Sequence, residues 1–153
     1  MAFVTSSLRG MSSVIAADRT RPARRRIMHV GSGGMILGGL LMVVGSPMPW
    51  VSTPVGSLSG AAGAGLWTLC AGFLAIAGAL IPRRRVAFVH AVVPGVAAAL
   101  IVCWQLLRML QISAGTDAWG KLLPGIGLVL VGGGAIVLLR SAMKIRAAGT
   151  ARE

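Results

Sequence analysis

Hydrophobic and polar positions fall into long blocks along this chain. No Asp, Glu, Lys or Arg occurs between Arg26 and Arg83, and two arginine triplets, Arg24-Arg25-Arg26 and Arg83-Arg84-Arg85, bracket that stretch. Two apolar runs lie within it, 27–46 and 64–81, joined by the proline-rich PMPWVSTPVGSLSGAAG. Two more follow, 86–107 and 122–139. Apolar runs of about 18 residues or more are long enough to cross a bilayer. The pattern predicts an all-α integral membrane four-helix bundle, running up-down-up-down with both ends cytoplasmic. Residues 27–139 form the membrane domain, flanked by basic cytoplasmic tails at 1–26 and 140–153. The first tail is read as a disordered leader, with a short interfacial helix as the alternative. The first run is longer than the roughly 7–15 residues of a signal-peptide core, so it is read as a span.

Small residues recur at helical spacings in each run. Gly31, Gly34, Gly38 and Gly45 share one face of the first, with a GxxxG at Gly34–Gly38. Gly65, Thr68, Gly72, Ala75 and Ala79 do the same in the second. Lipid offers no hydrophobic reward for helix association, so membrane helices adhere by close backbone approach through small residues. The two stripes make spans one and two natural partners. In the third run Ala87, Ala91, Gly95, Ala99 and Cys103 recur every four residues, with His90, Pro94, Ile101, Gln105 and Arg108 on an adjoining face. Pro94 removes a backbone donor near mid-span, so a kink is expected there. In the fourth, Gly120, Gly127, Gly134 and Ser141 repeat every seven residues, Pro124 falls in the first turn, and Arg140, Lys144 and Arg146 stop the span.

Charge fixes the orientation. The chain has 153 residues, 56% of them hydrophobic and only 12% charged, with a net charge of +12. Of its 15 Lys and Arg residues, all but Arg108 and Lys121 fall in the two tails or in the second connection. The positive-inside rule makes that side cytoplasmic. Basic residues a few positions from span ends also suit anionic lipid headgroups, which explains the charge better than nucleic acid does. Trp50, Trp67, Trp104 and Trp119 all fall at the predicted outer ends of spans, the headgroup level that indole prefers, and are read as outer interface anchors. Arg24, Arg25, Arg26, Arg83, Arg84, Arg85, Arg140 and Lys144 are the inner anchors.

Candidate chemistry is sparse. His29 and His90 lie near the inner boundary, but two histidines without a Cys or carboxylate nearby fall short of a metal set. Cys70 and Cys103 lie near the outer boundary on antiparallel neighbours, where a disulfide is geometrically conceivable. Gln105, Arg108, Asp117 and Lys121 are read as ordinary end-of-span anchors rather than a polar site. No ionisable residue lies in a predicted membrane core, where a coupled transporter would display one. No catalytic motif or paired carboxylate appears.

The Pro49-Trp50 that follows the first span and the Gly-rich PGIGLVLVGGG of the last resemble small four-span membrane proteins of high-GC actinobacteria, including the tryptophan-associated transmembrane protein family. The resemblance implies location and little chemistry. The expected role is a non-enzymatic accessory or scaffold subunit without cofactors. Its partners are the bilayer, anionic headgroups, and another membrane protein or a second copy. The alternatives are a small oligomeric channel or transporter hinged at Pro94 with His90 as its polar element, and a holin-like permeabilising protein.

Overall fold

Residues 31–116, 119 and 121–150 are described in the structure, a computed structural model, the side chains of residues 149 and 150 excepted. The expectations for the first tail, Arg24, Arg25, Arg26, His29, Asp117 and Gly120 lie outside the described residues.

Four helices carry most of this part of the chain: α1 (Ser32–Gly45), α2 (Gly65–Leu80), α3 (Arg84–Gly115) and α4 (Ile126–Thr150). Ile81 precedes a proline and is pushed into the extended region at ψ 124°, which ends α2. α3 runs unbroken through Pro94, which is buried. α3 and α4 are long and apolar enough to cross a membrane, whereas α1 and α2 are apolar but only 14 and 16 residues long.

Three boundaries differ from the sequence expectation. α3 continues to Gly115 rather than ending near Leu107. The segment RMLQISA contains neither Gly nor Pro and is rich in helix formers, so polarity alone does not end the helix. α4 starts at Ile126 rather than Leu122, because Leu123–Pro124 forms a short strand, β3. α4 also runs on past Arg140, through a segment (SAMKIRAA) of good helix formers. Much of the expected 140–153 tail is therefore helix.

The proline-rich connection 47–63 holds a hairpin. β1 (Pro49–Thr53) pairs antiparallel with β2 (Gly56–Ser59), and Thr53 Oγ1 donates to the Gly56 carbonyl at 2.7 Å across the turn. β3 pairs antiparallel on the other edge of β1, giving the order β2-β1-β3. The register slips between Pro49 and Val51, so Trp50 sits at an irregularity in β1. A 3-10 turn, Gly60–Ala62, leads into α2.

Each helix packs against two others: α1 and α3 both contact α2 and α4. All four pairings are antiparallel. Gly31 faces Ile145 and Gly45 faces Gly127, so α4 descends as α1 rises. Gly72 meets Gly39, Gly78 meets His90, and Gly95 meets Leu138 and Leu139.

Candidate functional site

The glycine stripe of α1 is a seam for α4 rather than for α2. A Cβ at Gly34 would strike the Ser141 hydroxyl, one at Gly38 would lie 2.8 Å from the Gly134 carbonyl oxygen, and one at Gly45 would lie 2.8 Å from that of Gly127. The seven-residue repeat Gly127, Gly134, Ser141 on α4 thus runs down the α1 stripe. The expected partnership of the first two helices exists, but it uses a residue outside the stripe. Gly39 and Gly72 face each other, and a Cβ on either would lie 2.8 Å from the other's carbonyl oxygen. Gly39 is the packing residue that the sequence reading missed. The signal was its position beside Gly38, which points a second glycine about 100° around the helix.

Elsewhere on α2, Gly65, Thr68, Ala75 and Ala79 are buried. On α3, Ala87, Ala91, Pro94, Gly95 and Ala98 are buried, Ala99 is half-buried and Cys103 is exposed. A strict four-residue row advances about 40° per step around a 3.6-residue helix. The expected row of α3 therefore winds out of the interface, and Ala98 takes over from Ala99.

At the sheet end, small polar groups meet in the interior. Ser46 Oγ donates to the Met42 carbonyl at 2.6 Å and lies 2.8 Å from Thr68 Oγ1, which in turn donates to the Gly65 carbonyl at 2.9 Å. Two hydroxyl protons serve three contacts, so one of them is shared. Trp50 roofs this cluster. Its indole Nε1 donates to the Gly45 carbonyl at 3.1 Å, and its ring lies against Gly60 and Gly127. The Gly125 amide donates back to the Trp50 carbonyl at 2.8 Å.

Trp50 is therefore not the outer anchor that the sequence suggested. Its relative exposure is 3%, against 74%, 67% and 62% for Trp67, Trp104 and Trp119. Glycine takes the space that other side chains would fill, and the indole enters. Beside it, Gln105 on α3 helps to line a cavity of about 230 Å³ with Val51, Leu58 and Ala64. Arg108 and Lys121 are exposed.

At the opposite end, Arg84 is half-buried and ties α3 to α4. Its Nε donates to the Ile145 carbonyl at 3.0 Å, and one terminal nitrogen donates to the same carbonyl and to that of Arg146. Arg83, Arg85, Arg140 and Lys144 are exposed. His90 is half-buried against Gly78 of α2, and its Nδ1 lies 2.9 Å from the Val86 carbonyl of its own helix. Cys70 and Cys103 are free and exposed, so the conceivable disulfide is not formed. Among the described residues no group of three His, Cys, Asp or Glu side chains could hold a metal ion.

No protein-family model, curated protein or solved structure matches this chain.

Proposed function

We propose that the chain is a multi-pass membrane protein without enzymatic activity, a four-helix bundle with both termini on the cytoplasmic side, that acts as an accessory or scaffold subunit. The carrying observation is the combination of close helix contacts through small residues and a helix exterior rich in large apolar side chains. The helices bury Gly, Ala, Ser and Thr where they meet, and they turn large apolar side chains outward. Leu37, Leu40 and Val44 are exposed on α1, Phe73, Leu74 and Leu80 on α2, Val93, Val96, Leu100 and Leu107 on α3, and Val129 and Ile136 on α4. Water would penalise that exterior at about 25 cal/mol per Å² of apolar surface, whereas acyl chains carry no such penalty.

The sheet supports the orientation. It joins 47–63 to the start of α4 at the end of the molecule where basic residues are few. The interior is occupied by Met35, Met42, Leu128, Val131 and Leu138, all nearly fully buried, which favours a packing role over a lumen within one chain. The lipid-facing helix surfaces and the sheet end are the surfaces for a larger membrane partner or a second copy. Crosslinking in membranes followed by mild-detergent purification should recover the chain with such a partner. A clean monomer carrying nothing with it would contradict the proposal.

A further inference from the structure

At the end away from the sheet, a groove of about 470 Å³ opens between α3 and α4, lined by Arg84, Arg85, Phe88, Val89, Ile145 and Arg146. Three arginines and three apolar residues, Phe88, Val89 and Ile145, share its lining. The chain has only three carboxylate side chains, Asp18, Asp117 and Glu153, and none falls among the described residues. Three clustered positive charges repel one another where, as among the described residues, no carboxylate lies between them, and an anion there removes that cost.

Arg84 is already oriented for one. Its bonds to the Ile145 and Arg146 carbonyls hold the guanidinium in place and leave its second terminal nitrogen for a ligand. Arg85 and Arg146 are exposed from opposite walls, on different helices, so both can turn to a common point. Planar guanidinium forks match phosphate oxygens in pairs, and a site that fixes one of them in advance loses less freedom on binding. From Val89 the apolar lining continues on the same face of α3 to the exposed Val93 and Val96, four and seven residues on.

We infer that this groove binds one anionic phospholipid, its phosphate held by Arg84, Arg85 and Arg146 and its proximal acyl chain laid along Phe88, Val89 and Ile145. The inference rests on the membrane reading above and deepens it from a general attraction to anionic headgroups into a discrete site. Basic pockets between helices on the cytoplasmic side are suited to such headgroups.

The test uses the full chain purified in neutral detergent and titrated with phosphatidylglycerol, phosphatidylcholine or inorganic phosphate, with retained adducts counted by native mass spectrometry. One phosphatidylglycerol should remain bound in preference to phosphatidylcholine, and millimolar inorganic phosphate should not displace it. Arg85→Gln and Arg146→Gln should each weaken retention about tenfold, the effect of losing one charge-assisted hydrogen bond. Arg140→Gln, outside the groove, should leave it unchanged, and circular dichroism would verify that all three variants keep their helicity. Equal retention of the two lipids, or equal losses in all three variants, would overturn the site. Displacement by inorganic phosphate would overturn the lipid as its ligand. Recovery of the chain from cells as a detergent-free soluble protein would instead overturn the membrane reading itself.

Discussion

Gly38 on α1 and Gly134 on α4 each stand where a methyl group would strike the other's backbone. A Cβ at Gly38 would lie 2.8 Å from the Gly134 carbonyl oxygen, and one at Gly134 would lie 2.7 Å from the Gly38 carbonyl oxygen. Gly45 and Gly127 repeat the arrangement at 2.8 and 2.6 Å. At this approach the Cα–H groups point at facing carbonyls, a weak but recurring helix–helix contact. Two backbones, rather than two side chains, form the centre of the interface.

Substitution along α4 should therefore depend sharply on position. Gly38→Ala or Gly134→Ala meets backbone that cannot swing aside, and overpacking of this kind costs about 1–3 kcal/mol. A methyl added at Gly133 would enter open space, with no neighbouring helix within 4 Å. Gly133→Ala should therefore be neutral or stabilising by up to about 1 kcal/mol through helix propensity. Unfolding of detergent-solubilised protein by added dodecyl sulfate, followed by circular dichroism, separates the two outcomes. Equal responses at Gly133 and Gly134 would contradict the seam.

The four helices and their small-residue faces were legible in the sequence because a run of apolar residues and its spacing are local properties. Which stripe meets which helix was not. Gly31, Gly34, Gly38 and Gly45 suit any partner, and only the closed arrangement assigns them to α4 while Gly39 serves α2. At Leu107 and Arg140 the helices run on past the expected spans, because polar residues there do not end a helix. The hairpin in the proline-rich connection was not read from the sequence, and its two prolines, Pro49 and Pro54, do not oppose it. Both take positions that proline tolerates, the first residue of a strand and a turn. Trp50 was read as an outer anchor from its position alone. Its place after a span fits a membrane interface equally well, and the glycines that make room for it come from distant parts of the chain.

Trp50 should differ from the other tryptophans in fluorescence. In liposomes containing brominated acyl chains, a variant retaining Trp50 alone, with Phe at the other three sites, should be quenched weakly. Variants retaining Trp67 or Trp104 alone should be quenched strongly. Comparable quenching of all three would show that the indole of Trp50 faces lipid and is not enclosed.

Ser46 and Thr68 should act as a pair. Thr68→Val keeps the shape of the side chain and removes its hydroxyl, for a cost of about 0.5–1.5 kcal/mol, and Ser46→Ala should fall in the same range. The double variant should cost less than the two together, because the second substitution removes a group that has already lost its partner. Additivity within about 0.5 kcal/mol in the same unfolding assay would mean that the two hydroxyls are independent.

The most direct test of the account asks which ends of the molecule face the cell exterior. Val55, at the tip of the hairpin, is 98% exposed, and Lys144 is exposed at the arginine end. With Cys70 and Cys103 replaced by Ala, single cysteines at these two positions would be offered a membrane-impermeant maleimide on intact cells. The proposed topology predicts that Val55→Cys is labelled at once and that Lys144→Cys reacts only after the membrane is opened. Labelling of Lys144→Cys alone in intact cells, or protection of both until lysis with the protein then found in the soluble fraction, would contradict it.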